Sequence, residues 1–173
     1  MKMKIVTTVI ATAVGLLTTP ALLAQHNHAD HNLHQRPVNA HADATTWPKS
    51  FGTVFDQYIR IQTALAQDSI ENVRASAAAI RNSVQSDPDK TLPVAVVHQA
   101  ETLAKASDIK TAREAFKPLS DSLIKYLAGN KAHAGHYVKV YCPMANARWL
   151  QAGTAVNNPY FGKSMARCGK IEG

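Results

Sequence analysis

Between residues 47 and 130 the apolar residues recur at steps of three and four, in four separate runs. Phe51, Phe55, Tyr58, Gln62 and Leu65 make the first. Ile70, Val73, Ala77, Ile80 and Val84 make the second. Val96, Val97, Ala100 and Leu103 make the third, and Ile109, Ala112, Phe116, Leu119, Leu123 and Tyr126 the fourth. A helix turns once in about 3.6 residues, so each run occupies one face of a helix. The interruptions agree with this reading. Pro48 suits a first helical turn. Asp68 with Glu71 three residues on is a capping signal for the second helix. Asp87-Pro88-Asp89 breaks that helix, Pro93 opens a third over 92–106, Asp108 caps the fourth, and Gly129-Asn130 ends it. Short connections between four amphipathic helices predict an antiparallel bundle. Alanine on the stripes lets the helices approach closely. Pro118 lies inside the fourth helix and predicts a kink near 114–117.

The ends of the chain carry a different message. Lys2 and Lys4 precede an apolar stretch, 5–17, too short to span a bilayer well, and Ala24 offers a small residue for cleavage. Residues 1–24 are therefore predicted to be a secretory signal peptide, and the mature protein to be exported, soluble and periplasmic. No cysteine lies near the cut, which argues against a lipid anchor, and no later segment has the length and apolarity of a membrane helix. Cleavage removes two lysines and lowers the formal charge from +7 to +5. That charge is scattered, and aromatic residues are few, which argues against nucleic acid as a partner. Residues 25–46 are polar, lack an apolar period and are expected to be disordered. Within them His26, His28, His31, His34 and His41 form a tract suited to loose binding of Cu(II) or another divalent ion.

Residues 47–173 are thus expected to form one domain, an all-α antiparallel four-helix bundle. An irregular C-terminal cap over 131–173 closes it. In that cap Tyr137 to Tyr141 alternates and reads as a short extended segment. Asn157-Asn158-Pro159 and Phe161-Gly162 are turn chemistry, and a short helix is expected around 163–167. Trp149, Tyr160 and Phe161 are the expected anchors on the bundle.

The cap also holds both cysteines of the chain, each beside a methionine. Cys142 and Met144 share a side of an extended segment. Met165 and Cys168 share a face of a helical turn. Two such pairs facing one another offer four sulfurs, a set that selects Cu(I) or Ag(I). In an exported chain the same cysteines can instead form a disulfide, which the chain-entropy argument values at about 3.5 kcal/mol for a loop of this length. Composition leaves both open, and they can alternate: a reduced pair binds metal and an oxidised pair does not. His136 is a candidate extra ligand and His133 a weaker one, both just before the extended segment. His98, at the edge of the third stripe, reads as a partly buried core residue. There is no nucleophile elbow, no HExxH and no phosphate loop, so no enzyme is expected.

Tyr141-Cys142-Pro143-Met144-Ala145, Trp149-Leu150, Asn158-Pro159-Tyr160-Phe161-Gly162, Met165 and Cys168-Gly169 together resemble the signature of a small periplasmic domain of unknown function. Ala112-Arg113-Glu114-Ala115-Phe116-Lys117-Pro118-Leu119-Ser120 resembles its helical hallmark. The resemblance spans roughly 51–171, although the stretch Ala145-Asn146-Ala147-Arg148 is shorter than the family pattern. That domain occurs alone in secreted proteins or appended to membrane-fusion (adaptor) subunits of copper/silver efflux pumps. The resemblance implies a helical bundle and a role in heavy-metal resistance, with Cys142, Met144, Met165 and Cys168 at the metal-binding positions. The expectation is a periplasmic copper/silver-binding protein that hands metal to an efflux component. The alternative is a disulfide-stapled helical interaction module with no metal role.

Overall fold

The computed structural model describes residues 47–130 and 137–172. The expected signal peptide, the histidine tract with His26, His28, His31, His34 and His41, and both His133 and His136 lie outside the described residues.

The described residues form four α-helices: α1 (Lys49–Ala66), α2 (Val73–Ser86), α3 (Val94–Ala104) and α4 (Ile109–Ala128). Their buried faces are the stripes of the sequence. Phe51, Phe55, Tyr58, Ile61 and Leu65 of α1, Ala77 and Ile80 of α2, and Phe116, Leu119 and Leu123 of α4 lie in one core with Val96, Ala100 and Leu103 of α3. Asp108 caps α4 reciprocally: the Thr111 N–H donates to its carboxylate at 2.9 Å, and its own N–H donates to the Thr111 hydroxyl at 3.3 Å. Such a cap is worth about 1 kcal/mol. Asp87 accepts the N–H groups of Thr91 (2.8 Å) and Asp89 (3.3 Å), fixing the turn between α2 and α3.

One local expectation is corrected. The Asp68–Glu71 pair does not cap α2. Asn72 occupies the cap position, and both Asp68 (φ 59°) and Asn72 (φ 62°) are left-handed, as the tight reversal after α1 demands. The Asp68 carboxylate turns away to Arg113 of α4 (2.7 Å) and to the backbone N–H of Lys163 (3.1 Å), because a guanidinium is a stronger partner than a helix-end amide. At Pro118, α4 runs on without interruption. Glu114, whose carbonyl loses its donor there, is exposed, so water can take the donor's place.

The all-α expectation is overturned. The C-terminal region is not irregular but holds a three-stranded antiparallel sheet in the order β2-β1-β3, so the fold is mixed α/β. β1 is Val138–Cys142, β2 is Ala147–Gln151 and β3 is Lys170–Glu172. Register runs from Val138 opposite Gln151 to Cys142 opposite Ala147, and from Lys139 opposite Glu172 to Tyr141 opposite Lys170. The four residues from Pro143 to Asn146 close the β1–β2 hairpin, with Asn146 left-handed (φ 44°). β1 falls on the extended segment expected over 137–141, whereas β2 and β3 escaped the sequence reading for physical reasons. β2 is buried at every residue except Arg148, so its inside–outside alternation is lost, and β3 has only three residues. A 3-10 turn, Gly162–Met165, replaces the short helix expected around 163–167.

The sheet completes the core. α1 and α4 approach closely at only a few points, and β2 packs against both. The joint is one buried hydroxyl: Tyr58 bonds Ser120 of α4 at 2.8 Å and accepts the Leu150 N–H of β2 at 3.0 Å. Burial pushes the Tyr58 phenol far above its ordinary range, so it stays neutral. Trp149 is wholly buried, and its ring meets Tyr160 edge-on at 5.8 Å, with Phe116 on the far side of Tyr160 at 6.0 Å. Trp149 and Tyr160 are thus anchors, as the sequence suggested, and Phe161 is half-buried beside them.

Candidate functional site

Cys142 is the last residue of β1, and Cys168 lies two residues before β3. Pairing of Tyr141 with Lys170 brings the two ends together, and the Sγ atoms lie 2.9 Å apart. Both cysteines are free thiols; Cys142 is wholly buried and Cys168 half-buried. Gly169 is what allows this approach. A Cβ at that position would stand 2.7 Å from the Trp149 ring and 2.8 Å from Val140, so any side chain would lift the start of β3 off the core.

Three further devices set the chemistry of the pair. The buried amide of Asn158 donates to the Cys168 carbonyl at 2.7 Å, while its oxygen accepts the N–H groups of Tyr160 (2.8 Å) and Phe161 (3.2 Å). One side chain thus ties the segment before the 3-10 turn to the one after it. The turn after Cys142 is fixed from α4, since the Lys117 ammonium donates to the Ala145 carbonyl at 3.1 Å. From that turn the N–H groups of Ala145 and Met144 aim at the Cys142 sulfur. Burial works to raise the Cys142 thiol. Donation from the Cys168 thiol, the Ala145 N–H, the Asn158 amide and the Met144 N–H outweighs it, and the net direction is down. Cys168 moves up, first because its thiol donates to Cys142, then through burial and the neighbouring negative charge. Of the two, Cys142 is thus the sulfur whose surroundings favour the thiolate more.

The methionines are placed less symmetrically than the sequence suggested. Met144 is 66% exposed and lines an open cavity of about 290 Å³ with Ile109, Lys110, Lys117, Tyr160 and Phe161. Met165 is half-buried at the end of the 3-10 turn, and its carbonyl accepts the Cys168 N–H at 2.9 Å. The structure thus brings the two thiols into contact, with one thioether in the turn after Cys142 and the other in the turn before Cys168. Among the described residues no three His, Cys, Asp or Glu side chains converge on one point. His98 is exposed on α3, not partly buried, because it falls one step beyond the Val96–Val97 face.

Sequence reasoning missed Asn158. Asn-Pro at 158–159 reads as a turn, and nothing local shows that the amide reaches ten residues along to Cys168. It also missed the ion pair of Asp68 with Arg113, whose guanidinium donates as well to the carbonyls of Pro159 (2.8 Å) and Leu65 (2.9 Å). A glycine directly after Cys168 was the readable signal, since a backbone that must lie flat on a ring has no room for a Cβ.

A family described as proteins of unknown function (DUF3347) matches residues 54–135. The match is a little under half of the chain. It runs from α1 through α4 and stops before β1, so it takes in neither cysteine. No curated protein and no solved structure matches the chain.

Proposed function

We propose that this is an exported, periplasmic soft-metal-binding protein that takes Cu(I) or Ag(I) as cargo on Cys142 and Cys168. The observation that carries this reading is the contact between two thiols, one at the end of β1 and one just before β3, the first held toward the thiolate by four donors. Thiolates are the ligands soft cations prefer. Two thiolates across one ion stand about 4.5 Å apart, twice a metal–thiolate bond of about 2.3 Å. Binding therefore requires the sulfurs to part. Cys168 is the member that moves, being half-buried beside a three-residue edge strand. Met144 and Met165 supply the nearby thioethers, and His136 an extra ligand. His26, His28, His31, His34 and His41 hold Cu(II) loosely. The role is capture rather than catalysis, in metal resistance, with delivery to a copper/silver efflux adaptor as the next step, by the resemblance noted above.

An anaerobic Cu(I) titration of the reduced protein against a competing chelator tests this. We expect the Cys142→Ser/Cys168→Ser variant to lose at least tenfold in affinity. Equal affinity in variant and parent removes the cap as the site. The second reading, a disulfide-stapled interaction module, is favoured by the closeness of the sulfurs. Counting thiols in protein taken from its native compartment without reductant separates the two: a pair with no reducible population supports the staple.

A further inference from the structure

We infer that Cys142 and Cys168 form a reversible thiol–disulfide couple whose exchange partner, an external disulfide, reacts first at Cys168. The couple uses the sulfurs of the metal reading but needs no metal, and its test is run on metal-free protein, so either can fail without the other.

The geometry orders the steps. The two sulfurs already touch at 2.9 Å, and a disulfide bond of about 2.05 Å lies less than 1 Å further in. Cys142 is wholly buried, so an external disulfide meets Cys168, the half-buried member. Cys168 first gives up its proton to solvent, and its thiolate attacks one sulfur of the external disulfide. That S–S bond breaks, its far sulfur leaves as a thiolate and takes a proton from water, and a mixed disulfide remains on Cys168. The Cys142 thiol then gives up its proton, and its thiolate attacks the Cys168 sulfur. The mixed bond breaks, the second external sulfur leaves as a thiolate and takes up that proton, and the Cys142–Cys168 bond is formed. In sum the two protein thiols lose two electrons and two protons, and the external disulfide is reduced to two thiols.

The donors around Cys142 explain why the couple runs in both directions. The N–H groups of Met144 and Ala145 lie in the hairpin turn after Cys142, and the Asn158 amide is held by the 158–161 turn. In the forward direction they face the resolving sulfur as its negative charge forms. In reverse, a reductant thiol attacks the exposed side of the bond, at Cys168, and Cys142 leaves as the stabilised thiolate; a better leaving thiolate speeds exchange. The second step is faster than the first, because the first needs an encounter with an external disulfide and the nucleophile of the second is already in contact. The mixed disulfide therefore does not accumulate in the parent. Oxidation consumes both proposed metal thiolates, so metal loading and the disulfide exclude one another.

The test treats chelator-washed, reduced protein with oxidised glutathione at neutral pH and follows thiol count and intact mass. The parent should lose both thiols and two hydrogens, carry no glutathione, and recover both thiols with dithiothreitol. Cys142→Ser should accumulate one glutathione, mapped to Cys168. Cys168→Ser should resist modification while folded and react in urea. Retention of both thiols by the parent overturns the couple. An adduct on Cys142 of folded Cys168→Ser, faster than that on Cys168 of Cys142→Ser, overturns the order of attack. Should a serine variant lose its helical circular dichroism, the parent still decides: brief reaction, alkylation and peptide mapping must place any trapped glutathione on Cys168, and glutathione on Cys142 refutes the order.

Discussion

The helical layer and the strand cap of this chain are built on different rules. Each helix stripe is a repeat at three and four residues, so the residues that share a face lie within one turn of one another. The cap is built on register between segments far apart in sequence: β1 pairs with β3 across about thirty residues, and the Cys142–Cys168 contact depends on that pairing. The family match follows the same divide, covering the helices and ending before the sheet. The lesson is that the part most easily recognised is the helical layer, and both cysteines lie in the segment the match leaves out.

Truncating one buried ring on each side tests the division most severely. Phe51→Ala in α1 and Trp149→Ala in β2 each remove a large, fully buried side chain, and each should cost about 3–5 kcal/mol in urea unfolding. Their other consequences should differ. Phe51→Ala should leave the exchange of the folded protein with oxidised glutathione as in the parent. Trp149→Ala opens the floor on which Gly169 lies and should slow disulfide closure as well. Equal effects on closure would mean that the cap and the bundle are not separable in this way.

Gly169→Ala sharpens the comparison within the cap. The added methyl meets the Trp149 ring and Val140, both buried, so relief requires β3 to move outward. Overpacking of this kind costs about 1–3 kcal/mol. The sulfurs, whose contact depends on the start of β3, should part. Closure in oxidised glutathione should slow, while Cys168 becomes more open to an alkylating reagent. If stability falls but closure keeps the parental rate, the register of β3 is not what joins the thiols.

How much of this was legible follows from the same division. The stripes of α1 to α4, the Asp108 cap and the turn at Asp87 are local, and each was readable from neighbours within four residues. The capping role assigned to Asp68 failed because its better partner, Arg113, lies on α4 and cannot be seen from the α1–α2 turn. β1 was readable because its residues alternate. β2 was not, because β2 is buried on both faces and a run such as Trp149-Leu150-Gln151 has no inside–outside period. For the sulfurs, the chain offered the pairs, and only the sheet register decides that the thiols meet while Met144 turns toward a cavity on α4.

The smallest expected effect lies where the two regions join. Asp68 bridges the α1–α2 turn, Arg113 of α4 and the start of the 3-10 turn. Its carboxyl is held below the usual range, first by the Arg113 hydrogen bond and then by the Lys163 N–H. A carboxyl lowered in the folded state adds stability that is fully present above its unfolded pKa, about 3.9, and is lost as pH falls from there through the lower folded value. Arg113 and the Lys163 N–H use different oxygens of Asp68, so Asp68→Asn removes the charge and leaves an acceptor for only one of the two donors. Its denaturant midpoint should therefore lie slightly below that of the parent at neutral pH, and the two should begin to converge as pH falls below about 4. High salt should narrow the neutral-pH gap, since the carboxylate is partly exposed. Gly162 sharpens the point: a Cβ there would strike the Asp68 carboxylate and the Arg113 guanidinium, so the backbone of the cap is shaped around this ion pair. A gap that persists unchanged at pH 3 would mean that the oxygen geometry of Asp68, not its charge, fastens the cap to the helices.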